Sequence, residues 1–296
     1  MMPAAHRSRA MTARIELSAL PPALPTLFHA ALSARRRPRG IAALPELEAH
    51  LSAVRIEPGR LAAYNELLGF HDSVPIAYPQ VLAATLHMHL MTQPEFPLPL
   101  LGLVHVRNEI EQQRPLEADE ALDLRVAISA SRETRSGLEF DLVTEYAVPG
   151  QEPVWKACTT ILHRVGKPAG GSKSAPPTID ARLSQYLPIR APEDIGRRYA
   201  KVSGDYNPIH LYAASAKLFG FPRAIAHGMW SAARCLALLQ DRLATQPRAL
   251  SVQFKQPLLL PGRAVLRAAS AVSAGAAIGF ALVGDSGRVH LSGTLR

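Results

Sequence analysis

The sequence predicts an α+β protein in which one unit, a buried helix followed by about four antiparallel strands, is made twice. Three observations lead there. Two segments, Ala77–Met91 (AYPQVLAATLHMHLM) and Ile225–Leu239 (IAHGMWSAARCLALL), are apolar on nearly every side, and a helix of that composition belongs inside a core. Each is followed by a strand-like run, Val104–Ile110 or Val252–Leu258. Helices and strands are related by a single offset of 148 residues, so Val104 matches Val252, Val106 matches Phe254, Arg107 matches Lys255 and Ile110 matches Leu258. An offset shared by two elements and their spacer argues for duplication more strongly than either match by itself.

The remaining strands follow in order. Leu122–Ser129, Glu139–Ala147 and Val154–His163 alternate in the first half, and Ala264–Val272, Ala277–Gly284 and Arg288–Leu295 do so in the second. Side-by-side halves would join their sheets and cover an edge that each would otherwise expose. Between them lies Gly166–Pro177 (GKPAGGSKSAPP), whose only apolar side chains are two alanines. It reads as a linker, and its Gly-Ser-Lys order is wrong for a phosphate loop. The chain therefore divides into a basic N-terminal extension (1–40), a first half (41–165), a linker (166–180) and a second half (181–296).

Chemistry concentrates before the second helix. Tyr199–His210 (YAKVSGDYNPIH) matches Tyr64–Phe70 (YNELLGF), Tyr64 with Tyr199 and Gly69 with Gly204, but at an offset of 135. The second half thus carries 13 extra residues before its helix, with Asp205, Asn207, Pro208 and His210 among them, while Phe70 stands where Asp205 would be. Pro208 disfavours a helix through Asn207. An irregular turn started by Gly204 would bring the Asp205 carboxylate and His210 imidazole to one side, where the two would make an acid–base pair on a water. The plainer alternative is an Asx turn that only bonds backbone. His227-Gly228-Met229 begins the helix, where unpaired N–H groups favour negative charge. His227 reads as a polar residue without a role, and Ser231 as a core hydroxyl bonded to the preceding turn. His87 and His89 are two apart and face different ways on a helix, so they do not read as a metal site. No GxSxG elbow, dinucleotide fingerprint or zinc-ligand cluster is present.

SGDYNPIH followed by AHGMW resembles the hydratase-2 motif of the MaoC-like dehydratases, hot dog proteins related to the (R)-specific enoyl-CoA hydratases. The resemblance covers the whole architecture, a double hot dog with a degenerate first half. It implies that Asp205 and His210 orient and activate the catalytic water, that Asn207 supports their turn, and that the segment is an overhang closing the acyl pocket. It implies that the Gly228 N–H is the oxyanion donor. The implied activity is reversible hydration and dehydration of acyl thioesters, 2-enoyl-CoA to (3R)-hydroxyacyl-CoA, in fatty-acid metabolism. Alternatives are a 3-hydroxyacyl-[acyl-carrier-protein] dehydratase of fatty-acid or polyketide synthesis, a non-catalytic acyl-thioester binder and a hot dog thioesterase. No metal or redox cofactor is implied; CoA or phosphopantetheine enters as part of the substrate. The degenerate first half is expected to widen an acyl tunnel.

Charge and cysteines set the remaining bounds. The net charge is +9, of which +6 lies in residues 1–40, largely in Arg35-Arg36-Arg37-Pro38-Arg39. This reads as a solvated basic arm, with a contact to CoA phosphates or an acidic carrier protein as the functional alternative. Without interleaved aromatics or a nucleic-acid fold it does not point to nucleic acid. Cys158 and Cys235 make no disulfide framework. No apolar run is long enough for a transmembrane helix, and prolines 21, 22 and 25 interrupt what would be a signal core. The Arg-rich start overlaps with transit-peptide composition, but the expected setting is the cytoplasm, with no membrane partner. Two fused halves already resemble a dimer of single hot dogs, so either a monomer or a homodimer is compatible with the sequence.

Overall fold

In a computed structural model of the chain, residues 13–21, 44–71, 73–100, 102–164, 180–243, 245–269 and 277–296 are described. The first half contains β2 (Leu47–Val54), α1 (Pro58–Leu68), α2 (Tyr78–Thr92), β3 (Leu103–Gln112), β4 (Leu122–Thr134), β5 (Gly137–Ala147) and β6 (Pro153–Arg164), preceded by β1 (Ala13–Leu17). The second contains β7 (Gln185–Ala191), α3 (Ile195–Ser203), α4 (Pro208–Leu211), α5 (Ala213–Lys217), α6 (Gly228–Leu239), β8 (Ala249–Phe254), β9 (Gly262–Ala268), β10 (Ile278–Gly284) and β11 (Val289–Leu295). No described helix is long and apolar enough to cross a membrane.

The eleven strands among the described residues form one sheet in the order β1-β2-β4-β5-β6-β3-β8-β11-β10-β9-β7. Inside β1, each half follows the same path toward the seam: β2-β4-β5-β6-β3 in one and β7-β9-β10-β11-β8 in the other. The halves meet where β3 pairs antiparallel with β8, from Arg107↔Gln253 to Glu111↔Ala249. Each half also has a strand before its helices that the sequence reading did not include. β2 was legible, because Leu47, Ala49 and Leu51 are buried between half-buried Glu48 and His50. β7 was obscured by Pro188, which an edge strand tolerates.

Two boundaries differ from the sequence reading. β8 stops at Phe254 rather than Leu258, because Lys255 and Gln256 both donate to the His290 carbonyl and Pro257 has no N–H to continue the ladder. The basic extension does not lie wholly apart from the first half, since Ala13–Leu17 pairs parallel to Leu47–Leu51. The Arg35–Arg39 cluster and the Gly166–Pro177 linker lie outside the described residues.

The core of each half is its central helix against the concave side of its strands. Tyr78, Ala83, Leu86 and Leu90 of α2 are fully buried, as are Ala232, Ala233 and Cys235 of α6. The shorter helices repeat the pattern. Tyr64 of α1 and Tyr199 of α3 are both buried with ring centroids 6.3 Å apart. Gly69 and Gly204 end these helices at the same left-handed φ of 79°, a conformation that costs any L side chain. After Gly69 the chain runs directly to α2, whereas after Gly204 it makes the overhang that carries α4 and α5. Replacing Gly204 with Ala is expected to cost about 1–2 kcal/mol through this φ, measured as a lower urea midpoint; an unchanged midpoint would show that the turn does not need glycine.

Candidate active site

The overhang is built from backbone bonds that aim its side chains. Past Gly204, the Asp205 N–H donates to Ser203 Oγ at 3.1 Å, and Asp205 Oδ1 accepts from the Asn207 N–H at 3.1 Å. Asn207 then caps α4, its Oδ1 accepting from the Ile209 N–H at 3.3 Å with Pro208 at the first helical position. The Asx turn expected as the plain alternative is therefore present, and it leaves the second carboxylate oxygen, Oδ2, unclaimed by the turn. One turn of α4 later, His210 is buried and its Nδ1–H donates to the Ile225 carbonyl at 2.8 Å. That bond assigns the tautomer and leaves Nε2 with a lone pair.

His227 completes the cluster. It caps α6 in an extended conformation, and its Nε2–H donates to the Asp205 carbonyl at 3.0 Å. Its ring stacks on His210 with centroids 3.8 Å apart and lies 4.9 Å from the Tyr199 ring. One side-chain atom each from Asp205, His210 and His227 falls within 4.8 Å of the others. Such a trio also has the composition of a metal site. In each imidazole one nitrogen bonds a carbonyl and the other keeps its lone pair, and the two rings stack at 26°.

The electrostatics follow from burial. Burial lowers His210 to about 3, helped by neighbouring His227 and opposed by Asp205. His210 therefore enters any reaction as neutral imidazole. For Asp205, burial pushes the carboxyl upward, but the imidazoles of His227 and His210 and the Asn207 N–H outweigh it, so its pKa is lowered and it stays a carboxylate. With 37% of its side chain exposed, Asp205 is the member of the pair that faces solvent.

The first turn of α6 supplies donors. Ile225 and Ala226 are not helical as expected: Ile225 pairs with Leu259, and the Ala226 N–H donates to Leu258 O at 2.8 Å. This extended stretch delays the helix to Gly228, whose N–H precedes the first intrahelical bond. Gly228 is constrained from the far side, because a Cβ there would sit 3.0 Å from the Phe254 ring. Phe254 ends β8 and packs 4.8 Å from the His105 ring of β3, so the first half contributes a wall to the site of the second. His105 donates from Nε2 to Arg107 O at 3.0 Å, and burial lowers it to about 4 against an opposing pull from Asp205.

Of the residues singled out from sequence, Asp205, Asn207 and His210 come together with His227 and the start of α6. His227 was read as having no role, yet it ties the overhang to the central helix; its place directly before Gly228 was the available signal. His105 and Phe254 carried none, since strand pairing between the halves brings them together. Ser231 is buried one turn into α6, its N–H donating to His227 O. His87 donates to or accepts from Thr144 Oγ1 at 2.7 Å, while His89 contacts Gln93. In the first half, Leu86, Leu90, Phe96, Phe140 and Trp155 are fully buried. A cleft of about 270 Å³ between the halves, lined by Phe70, Ile76, Leu236, Leu243 and Gln246 among others, does not include Asp205, His210 or Gly228.

With this geometry in place, the comparisons decide the family. Residues 167–283 match the model of the MaoC like domain. The chain is similar to 3-hydroxyacyl-thioester dehydratase X of Mycobacterium tuberculosis, 39% identical over 75% of this chain and 80% of that one. The chain belongs to the MaoC-like dehydratase family. The crystal structure of HtdX of Mycobacterium tuberculosis superposes with a TM-score of 0.71 at 35% identity, covering 84% of this chain and 99% of that one. A MaoC-like dehydratase from Phytophthora capsici shares the fold, with a TM-score of 0.68 at 20% identity over 86% of this chain and 95% of that one. The double hot dog architecture is thus the family's own, and this MaoC-like dehydratase is a hydro-lyase whose relatives are hydratases and dehydratases of acyl thioesters.

Two buried neutral histidines make the fold acid-sensitive. Burial lowers both His87 and His210 to about 3, whereas the unfolded chain protonates them near 6.5. The unfolded state therefore binds more protons between these values. Stability should be fully present above about pH 6.5 and fall as pH drops toward about 3, by up to about 1.4 kcal/mol per pH unit for each histidine. Urea unfolding between about pH 7 and about pH 4 checks this; a flat profile would contradict it.

Proposed function

We propose that this MaoC-like dehydratase interconverts 2-enoyl-CoA and (3R)-hydroxyacyl-CoA in fatty-acid metabolism, with Asp205 and His210 as the groups that handle the water. The observation that carries the reading is the pairing of a carboxylate with a neutral imidazole whose free nitrogen is Nε2, in a cluster with His227, the residue directly before the first N–H of α6. Both groups start as proton acceptors, and a water between them is held through its two hydrogens. Asp205 or His210 takes one proton as the water oxygen bonds to the β-carbon. The electron pair of the carbon–carbon double bond shifts toward the thioester oxygen. The Gly228 N–H stabilises the charge gathering on that oxygen, a contribution of the kind whose loss costs about 2.7–4 kcal/mol. The α-carbon then takes a proton back from the protonated side chain, so the net change is addition of one water. Dehydration is the same path reversed. Asn207 acts on the turn and does not touch the reacting atoms.

No step calls for a metal or a redox cofactor, since charge is handled by side chains and the helix start. The thioester's CoA or phosphopantetheine is a handle on the substrate. His227 is a positioning residue in this scheme, because its bond to the Asp205 carbonyl fixes where the carboxylate stands relative to His210.

Asp205→Asn and His210→Ala should each lower kcat/KM for hydration of an enoyl-CoA by about 10²–10⁴-fold, followed by loss of enoyl absorbance. A double variant that retains wild-type turnover would reject the assignment. Gly228→Ala places a methyl against Phe254 and should reduce kcat; adding Phe254→Ala should recover part of that loss if the ring contact is the cause. No recovery, with the fold intact by circular dichroism, would mean that the ring is not what forbids a side chain there.

A further inference from the structure

The outer face of the overhang has a composition that the reaction does not use. Across α3 and the overhang, Ile195 to Arg223, there are five basic residues, Arg197, Arg198, Lys201, Lys217 and Arg223, and one acidic residue, Asp205, with Glu193 and Asp194 just before α3. Arg198, Lys201, Lys217 and Arg223 are exposed. Among the described residues none of the five is paired with a carboxylate: Arg197 donates to Leu211 O at 2.9 Å and Arg223 to Pro261 O at 3.4 Å. Three large apolar side chains are conspicuously exposed in the described structure, and two of them, Leu218 (84%) and Tyr212 (57%), lie on this overhang.

The face is braced rather than loose. The Arg197 guanidinium lies 4.9 Å from the Tyr212 ring centroid and holds the ring outward. Ser215 Oγ donates to the Pro208 carbonyl at 2.6 Å, which ties α5 to the helix that carries His210. The backbone of Gly196 in α3 packs directly on the His210 carbonyl, leaving no room for a side chain. A molecule bound to this face is therefore fixed relative to Asp205 and His210.

We infer that the overhang, through Leu218 and Tyr212 flanked by Lys217, Arg223 and the cations of α3, is the docking face for an acidic carrier protein that presents the acyl thioester on its phosphopantetheine arm. The inference rests on the hydratase reading and names the partner of that same site. Charge complementarity selects the partner's sign. The apolar pair selects a protein surface over a free nucleotide: an exposed leucine offers nothing to a phosphate, and Arg197 is already committed to Leu211 and Tyr212. A polar rim around an apolar centre is the ordinary make-up of a protein interface.

The test compares two thioesters of one acyl group, trans-2-octenoyl on a bacterial acyl carrier protein and trans-2-octenoyl-CoA, in wild type, Leu218→Asp and Lys217→Glu/Arg223→Glu. With the carrier substrate, KM should rise about tenfold or more in each variant and rise with salt in wild type, as expected for a charge-steered encounter. With the CoA substrate, kcat and KM should stay within about twofold, which also shows that the variants fold and that the chemistry is intact. Equal losses on both substrates, or no loss on the carrier substrate, would overturn the docking face while leaving hydration standing. Light scattering supplies the other outcome: a change of oligomeric mass in Leu218→Asp would mean that a second copy of the chain covers this face, and the proposal would fall. If wild type hydrates neither substrate, the hydratase reading itself fails.

Discussion

The pairing of β3 with β8 is the contact on which everything else in this molecule rests. Five residue pairs, from Arg107↔Gln253 to Glu111↔Ala249, join a six-stranded and a five-stranded sheet, alike in path apart from β1, into one surface. The ladder removes two strand edges that separate halves would expose. It also brings His105 from one half beside Phe254 from the other, and Phe254 lies against Gly228 at the start of the central helix. The wall behind Gly228 is thus a product of the seam. Neither half holds it alone, which gives a physical reason for a half without its own acid–base pair to be retained.

The same duplicated frame explains how one half acquired chemistry. Gly69 and Gly204 close equivalent helices in the same left-handed conformation, and the buried tyrosines one turn earlier still touch. Downstream of Gly204 the added residues form the overhang, held at one end by Asn207 capping α4 and at the other by Ile225 bonding His210. His227 connects the overhang to α6 through the Asp205 carbonyl. Because the same short segment carries the carboxylate, the imidazole and an outward face of cations with Leu218, a partner that docks on its outside is positioned relative to the groups inside.

Much of this was legible in order along the chain. The two all-apolar helices, the alternating strands after them and the constant offset led to a doubled helix-and-sheet unit, and the change of offset located the added segment. Asp205, Asn207 and His210 could be picked out because Pro208 forbids a regular helix between them. What was not legible has specific causes. β7 was hidden by Pro188, acceptable there only because the strand is an edge. The apolar segment read as helical ran from Ile225, two residues ahead of its His227-Gly228 start, since apolar periodicity cannot register a bridge to Leu259.

The sequence by itself determined the repeat, the class of each element and the residue types at the acid–base turn, because these depend on periodicity and on the local limits set by glycine and proline. Tertiary structure decided the rest. It turned His227 from a residue at a helix start into the brace of the Asp205 turn, and it selected the His210 tautomer through the Ile225 carbonyl, fifteen residues away. It carried His105 across the seam to the wall of a site encoded about a hundred residues later. Each of these is a contact made by strand pairing or by burial of one element against another, and no local pattern specifies which distant backbone group will be there to receive it.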